Sequence, residues 1–172
     1  YQTDIQEGNS LHIFQKVQFS YRFKQISGTS DHCIAITTDG NAFGHGKNHF
    51  GHLGEQRFKS DVENFMNLSN FNQNIKDVSA GAFHTLALDM DGTVEACGRN
   101  QFDELMVNKG PCKSVNKPQK VDLKNVSYCI AGLSLSVFFI NCQIPPNSPN
   151  LHANIDDVSN HHYFKMSKAE LI

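Results

Sequence analysis

Residues 24–53 read KQISGTSDHCIAITTDGNAFGHGKNHFGHL, and residues 76–105 read KDVSAGAFHTLALDMDGTVEACGRNQFDEL. The two stretches align without a gap at a constant offset of 52 positions, with ten identities. Self-similarity at a fixed period is the sequence signature of a repeat protein. The shared positions that we expect to be structural are His32, Asp39, Gly40, Gly46 and Asn48 in the first copy and His84, Asp91, Gly92, Gly98 and Asn100 in the second.

Less complete copies of the same unit flank these two. A third copy starts near Ile130 but lacks the Asp-Gly pair, and it carries Pro145, Pro146, Asn147 and Pro149 where Gly-Lys-Asn is expected. We interpret this copy as an eroded repeat and its proline-rich stretch as a candidate partner-contact loop. The predicted organisation is one repeat region over 1–172, comprising the end of a preceding repeat at 1–23, repeats at 24–75 and 76–126, the eroded repeat at 127–153 and the start of a further repeat at 154–172.

Each copy has the pattern of an antiparallel hairpin. In the first copy His32, Ile34 and Ile36 alternate with other small or apolar residues, which is the period-2 pattern of a strand. The Asp39-Gly40 pair follows and leads into a second short run, and such a pair is a strong hairpin signal. Because both strand faces are apolar or small, each hairpin must pack between neighbours. At roughly 50 residues per unit, we predict an all-β fold of propeller blades.

Composition and charge narrow the classes of function. The chain has 172 residues, of which 39% are hydrophobic and 19% charged, as in an ordinary globular domain. The net charge of -2 comes without a run of basic residues, so nucleic acid is an unlikely partner. The longest apolar stretch, residues 137–140, is too short to cross a membrane. The five cysteines form no CxxC pair, which predicts reduced thiols and a cytoplasmic or nuclear location.

The pattern of the second copy, best seen at residues 78–105, resembles the repeat of the regulator of chromosome condensation (RCC1) family. The resemblance covers most of the chain and implies RCC1-type β-propeller blades. At about 3.3 repeats, the chain would need other segments or further copies to complete a propeller. The sequence departs from the family pattern at His45 and Cys97, where an aromatic residue is common, and at Asp103, Glu104 and Met106, which replace Gly-Gln and a final Gly.

The histidines, turn aspartates and cysteines could suggest catalysis or metal binding, but we expect them to have structural roles. His45, His49 and His52 have the short spacing of metal ligands, but two of them occupy ordinary repeat positions that Cys97 and Glu104 fill in the next copy. His32 in the first copy and His84 in the second occupy the same repeat position. This recurrence favours a packing role, because a catalytic centre is needed only once. The Asp-Gly carboxylates are expected to make local turn hydrogen bonds, and the cysteines to be inert, buried thiols. We therefore predict no catalytic, cofactor or metal site.

The function that these features favour is a non-catalytic protein–protein interaction propeller, acting as a scaffold or adaptor. The family resemblance implies two alternatives: a guanine-nucleotide exchange factor for a Ran-like small GTPase, and the substrate-binding part of a ubiquitin ligase. The aromatic stretch His161-His162-Tyr163-Phe164 is predicted to be a core strand rather than an interface. The expected partners are proteins, including a small GTPase or a ubiquitin-ligase component, and no membrane.

Overall fold

The computed structural model describes residues 20–55, 61–107, 112–141 and 164–166. Every regular element in these ranges is a β-strand, which confirms the predicted all-β class. A helix long and apolar enough to cross a membrane is not found in this part of the chain. The candidate contact loop at Pro145, Pro146, Asn147 and Pro149 and the stretch His161–Tyr163 lie outside the described residues.

The strands form three antiparallel sheets, which we call blades 1, 2 and 3. Within each blade, strands that follow one another in the chain are neighbours in the sheet. Blade 1 contains β1 (Phe23–Gly28), β2 (His32–Thr37), β3 (Ala42–Gly46) and β4 (Val62–Asn67). Blade 2 contains β5 (Ile75–Ala80), β6 (His84–Asp89), β7 (Val94–Asn100) and β8 (Cys112–Lys120). Blade 3 contains β9 (Val126–Ala131), β10 (Ser136–Ile140) and β11 (Phe164–Met166).

The predicted Asp-Gly hairpins join the two middle strands of blades 1 and 2. At the first turn the Thr37 N–H donates to the Asn41 carbonyl at 2.9 Å, and the Gly40 N–H donates to the Thr37 carbonyl at 3.0 Å. Gly40 has a φ of 82° and Gly92 a φ of 80°, a region that glycine enters without steric cost. A Cβ on Gly40 would also lie 2.8 Å from Cα of Asn74, so this turn packs closely on the next blade.

The apolar cores lie between blades rather than inside one sheet. Between blades 1 and 2, Ile34 and Ile36 belong to the same buried cluster as Val78 and Ala87 of the next sheet. Between blades 2 and 3, a second cluster joins Leu86 and Leu88 of β6 to Val126, Cys129 and Phe138. Successive side chains of a strand point to opposite faces of the sheet, so one set packs against the blade on each side. The two apolar faces of each hairpin predict this arrangement.

Strand β11 belongs to blade 3. Phe164–Met166 pairs with β10 as the third strand of this sheet. The register places Phe138 opposite Lys165. Strand β10 carries β9 on one edge, so its other edge must find a backbone partner, and β11 supplies it.

Gly98 is the glycine whose replacement should be most damaging. It has a φ of 115°, and a Cβ there would contact the Phe83 carbonyl and lie 2.6 Å from Cα of His84. We expect Gly98→Val to lower the free energy of unfolding by about 3 kcal/mol or more, through backbone strain and overpacking together. Urea denaturation of the purified chain measures this loss.

Gly132→Ala is the matched control. Its Cβ would lie 3.3 Å from the Leu135 side chain, without a positive φ, so its effect should stay below about 1 kcal/mol. Equal losses for the two variants would contradict the assignment of Gly98 to a strained, closely packed position.

Candidate functional site

The recurrent histidines lie at the seams between blades. The His32 ring is 3% exposed, and its Nε2 shares a hydrogen bond with Thr85 Oγ1 of blade 2 at 3.0 Å. The His84 ring is fully buried, and its Nε2 shares a hydrogen bond with Ser136 Oγ of blade 3, also at 3.0 Å. Each histidine therefore bridges its own blade to a hydroxyl group of the next one.

A second recurrent contact involves a serine that the sequence analysis did not select. Ser27 Oγ accepts a hydrogen bond from the Ala80 N–H of blade 2 at 2.9 Å. Ser79 Oγ accepts one from the Ala131 N–H of blade 3 at the same distance. The signal was present in the sequence, since the two serines are identical at the repeat offset.

His52 extends the polar contact at the first seam. Its ring centroid lies 4.3 Å from that of His32, and its main-chain carbonyl accepts a bond from Cys97 Sγ at 3.3 Å. Burial is the largest effect on all three seam imidazoles: it lowers the pKa of His32 to about 3, and the pKa values of His52 and His84 to about 4. At neutral pH these rings are uncharged.

The three histidines with metal-like spacing do not converge. His52 is buried at the seam, whereas His49 is exposed and pairs with Asp61 at 3.6 Å. His45 stacks on Phe65 with ring centroids 5.6 Å apart. Within the described ranges, no group of three or more His, Cys, Asp or Glu side chains could hold a metal ion.

The recurrent asparagines organise the connections that follow β3 and β7. Asn48 Oδ1 accepts from the Leu53 N–H, and Asn100 Oδ1 accepts from the Leu105 N–H, both at 2.9 Å. The connection after β7 keeps the backbone conformation of the connection after β3, although it lacks the glycines of the family pattern. Asp103 and Met106 adopt φ values of 61° and 50°, where the first copy has Gly51 at 74° and Gly54 at 70°.

The turn carboxylates act differently in the two hairpins. Asp39 Oδ2 accepts from Asn41 Nδ2 at 3.0 Å, and hydrogen bonding, first from Thr37, lowers the pKa of Asp39. In the second hairpin the carboxylate that caps the turn belongs to Asp89 rather than to Asp91. Asp89 Oδ1 accepts from the N–H groups of Asp91 and Thr93 at 2.9 and 2.8 Å.

The thiols are free, and two are fully buried. Cys97 and Cys129 lie at the two seams, where burial raises their pKa values well above the usual range. Cys33 and Cys112 are half-buried, and burial also raises the pKa of Cys33. Because a thiolate is the reactive form, raised pKa values make Cys33, Cys97 and Cys129 poor nucleophiles. Cys142 lies outside the described residues.

Glu104, one of the departures from the family pattern, holds an arginine at the second seam. The Glu104 side chain is fully buried, and its Oε1 accepts from Arg99 Nε at 2.7 Å. Its Oε2 accepts from the Phe102 N–H at 2.8 Å. The Arg99 guanidinium also donates to the Leu133 carbonyl and to Ser134 Oγ, at 3.1 and 2.6 Å, and so reaches blade 3.

Apolar side chains are exposed where β3 and β7 end, an edge of the blades that we call the loop end. The Phe50 and Phe83 rings meet edge to face, with centroids 5.4 Å apart. The Arg99 guanidinium carbon lies 4.5 Å from the Phe83 centroid and 5.5 Å from that of Phe102. Phe102 is 52% exposed and Leu133 is 71% exposed. We call Phe50, Phe83, Arg99, Phe102 and Leu133 the aromatic row.

The seam hydrogen bond can be removed with little change in shape. We expect Thr85→Val to lower the free energy of unfolding by about 1 kcal/mol, because the buried His32 ring loses a partner. Thr93→Val, in the hairpin turn, is the control and should change stability by less than half as much. Urea denaturation of both variants is the measurement. A Thr85→Val protein as stable as the parent would contradict a structural role for this bond.

The seam histidines should make the protein acid-sensitive. Their pKa values fall from the ordinary 6.5 to about 3 for His32 and about 4 for His52 and His84. The unfolded chain therefore binds more protons than the folded one below pH 6.5, and the free energy of unfolding must fall as the pH falls toward 4. Each imidazole contributes up to about 1.4 kcal/mol per pH unit.

The contribution of one imidazole can be isolated with His52→Phe, which retains an aromatic ring at the seam. The slope of the free energy of unfolding against pH, measured by urea denaturation between pH 6.5 and 4.5, should become shallower by up to about 1.4 kcal/mol per pH unit. Thr93→Val removes no titratable group, so it serves as the control and should leave the slope unchanged. Identical slopes for the parent and His52→Phe would contradict the burial argument.

Family models and relatives agree with this repeat geometry. Two models, both described as the regulator of chromosome condensation (RCC1) repeat, match residues 39–88 and 75–104. Protein RCC1 of Candida albicans is 30% identical over 113 residues, which cover 61% of this chain and 24% of that protein. The guanine nucleotide exchange factor SRM1 of Saccharomyces cerevisiae is 31% identical over 93 residues, which cover 50% of this chain and 19% of SRM1. The chain thus spans about a quarter of the length of these relatives, or less.

Solved structures share the fold. The crystal structure of Prp20p from Saccharomyces cerevisiae, a protein with binding properties to Gsp1p and histones, has a TM-score of 0.64 and 22% identity, covering 73% of this chain and 30% of Prp20p. Human WBSCR16 has a TM-score of 0.65 at 17% identity, covering 77% of this chain and 34% of that one. These similarities confirm blades of the RCC1 propeller type. Together with the matched family models and the contacts that recur from seam to seam, they identify the chain as an RCC1-like repeat region.

Proposed function

We propose that this repeat region is a non-catalytic protein-interaction module that acts as a scaffold or adaptor. The observation that carries the proposal is the aromatic row, in which Phe102 and Leu133 remain largely exposed at the loop end. Aromatic and arginine side chains are enriched at protein interfaces. The partner is a protein, and the division into repeats at 24–75, 76–126 and 127–153 remains part of this proposal.

The recurrent polar residues support the same function. His32 and His84 are engaged in hydrogen bonds between blades, and Asn48 and Asn100 in the connections of their own blades. These residues therefore make structural contacts within and between blades, as expected of a stack that serves as a binding scaffold. The free, reduced thiols agree with a cytoplasmic or nuclear location for the whole protein.

Guanine-nucleotide exchange on a Ran-like GTPase is the second candidate. It is supported by the similarity to SRM1, a guanine nucleotide exchange factor, and to Prp20p, which has binding properties to Gsp1p. Both similarities cover about a third or less of the relative's own length. The ubiquitin-ligase alternative stays a prediction from the family resemblance.

Affinity capture separates the two candidates. The tagged chain is incubated with cell extract, once with EDTA and once with Mg²⁺ and GTP, and bound proteins are quantified by mass spectrometry against a tag-only control. The scaffold proposal predicts the same partners under both conditions. A small GTPase enriched only with EDTA would indicate preference for the nucleotide-free state and favour exchange activity. Recovery of no protein above the tag-only control would contradict both candidates.

A further inference from the structure

We propose that the face of blade 1 turned away from blade 2 docks a further sheet of the same repeat type, one that carries serine and histidine at the positions of Ser27 and His32. The docked sheet belongs to a polypeptide segment other than a second copy of this chain. The docking residues are Ile26, Gly28, Cys33 and His45, which we call the open seam. The open seam shares no residue with the aromatic row, so it does not depend on the proposed function.

The residues of the open seam lie on one face of the sheet. Gly28 is opposite Cys33 in the strand pairing, and Cys33 is opposite His45. Side chains that stand opposite each other share a face, and Ile26 joins them because it lies two residues before Gly28. Ile34, next to Cys33, points the other way, into the core shared with blade 2. The open seam therefore faces away from blade 2.

The equivalent face of blade 2 is covered by blade 1. Val78 has the repeat position of Ile26 and is fully buried in the core between the two blades. Ile26, in contrast, is 63% exposed. Gly28 is exposed as well, whereas its counterpart Ala80 is buried. Among the residues that the structure describes, this face of blade 1 has no covering sheet, unlike its counterpart in blade 2.

The two seams within the chain show which groups a covering sheet brings. At both seams a serine Oγ accepts from a main-chain N–H of the next blade, and a histidine five residues later shares a hydrogen bond with a hydroxyl group there. Gly28 has the position of Ala80, whose N–H receives the serine. Cys33 has the position of Thr85, and its thiol can also pair with a histidine. The open seam is thus matched to a sheet with the same serine and histidine.

His45 adds a third point of contact. Cys97 has the same position in blade 2, and its Sγ donates to the main-chain carbonyl of His52, in the connection that follows β3 of blade 1. The Nδ1 atom of His45 is buried and has no hydrogen-bond partner in the described part of the chain. Because buried polar atoms are nearly always hydrogen-bonded, this nitrogen indicates a missing partner. The carbonyl equivalent to that of His52 in the docked sheet would supply one.

A second copy of this chain does not offer the required pair. The sheet at the other end of the stack is blade 3, where the strand register aligns Ser136 with Thr85 of blade 2. Ile130 and Leu135 consequently stand at the serine and histidine positions. Neither side chain has a polar atom. Head-to-tail stacking of two copies would therefore bury the Gly28 N–H without a serine to accept from it, which is unfavourable.

The test duplicates residues 24–75 within the full chain, so that the added sheet precedes blade 1 and presents its serine and histidine to the open seam. The new junction repeats the natural one, because Lys24 has the repeat position of Lys76. Cys33→Ser in the added copy leaves the natural Cys33 as the reporter. We expect iodoacetamide at about pH 9 to alkylate this thiol about tenfold more slowly, or slower still, than in the parent chain. Mass spectrometry of the Cys33 peptide measures the rate.

Two further versions of the added copy test the required chemistry. Ser27→Ile plus His32→Leu gives it the residue types that blade 3 carries, and we expect most of the protection of the reporter thiol to be lost. Ser30→Ala, at an exposed serine outside the seam, is the matched control and should retain the protection. Cys97 and Cys129 are fully buried, so their lack of alkylation verifies that the natural blades remain folded.

A second measurement does not require the added sheet. Ile26→Asp in the parent chain should leave the urea midpoint unchanged, because the side chain is largely exposed. Val78→Asp, at the covered position of blade 2, should lower the midpoint strongly or prevent folding. A lower midpoint for Ile26→Asp would mean that this chain already covers the face, and would overturn the inference.

Three results of the alkylation experiment would also overturn it. The first is a reporter thiol as reactive in the duplicated chain as in the parent. The second is equal protection by the version with isoleucine and leucine. The third is protection of Cys33 in the parent that increases with protein concentration, since this would identify a second copy as the docked partner. None of these results decides the proposed function, which affinity capture with the parent chain tests separately.

Discussion

The middle strands β2 and β6 are buried on both faces, so blades 1 and 2 depend on packing against neighbouring sheets. Strand β2 sends Ile34 and Ile36 into the cluster shared with blade 2, and β6 sends Leu86 and Leu88 into the cluster shared with blade 3. Apolar burial of this kind is the dominant favourable term in folding, but it is non-directional. The seam hydrogen bonds add direction, since His32 and Ser27 each require a partner at one defined place on the next blade. The stack is thus stabilised by burial and aligned by a few recurrent polar contacts.

The departures from the repeat pattern alter surfaces more than backbone. Asp103 and Met106 stand where glycine is expected, yet both adopt the positive φ of the glycines in the first copy. The Asn100 side chain still accepts from the Leu105 N–H, so the connection keeps its course. In contrast, Glu104 changes the chemistry of the loop end, because its buried carboxylate holds Arg99 against the rings of Phe83 and Phe102. Substitutions within a repeat can therefore change its surface while the fold is retained.

Much of the fold was predictable because the repeat offset and the strand alternation are both local features of the sequence. The hairpins and the structural positions of His32 and His84 follow from recurrence alone. The pairing of Phe164–Met166 with β10 has no signal in the sequence, because a strand's partner depends on which sheet edge lies beside it in the folded chain. The capping role of Asp89 was missed because Asp91 has the more familiar place beside glycine. Thr85 and Ser136 were not selected as partners of the histidines, because a hydroxyl group has no distinctive sequence pattern.

The all-β class, the hairpin unit and the RCC1-type repeat were predictable from the sequence, because the period-2 pattern and the Asp-Gly pair are local signals and the copies recur at a fixed offset of 52 positions. Residues that depart from the pattern, including Glu104 and Met106, were also visible there. The contacts that these residues make depend on how the blades pack. The aromatic row joins residues from three blades that lie between 50 and 133 in the chain, and their contacts exist only after the blades stack. The surface that these residues form depends on how closely the blades pack, and the sequence pattern of a single repeat does not contain that information.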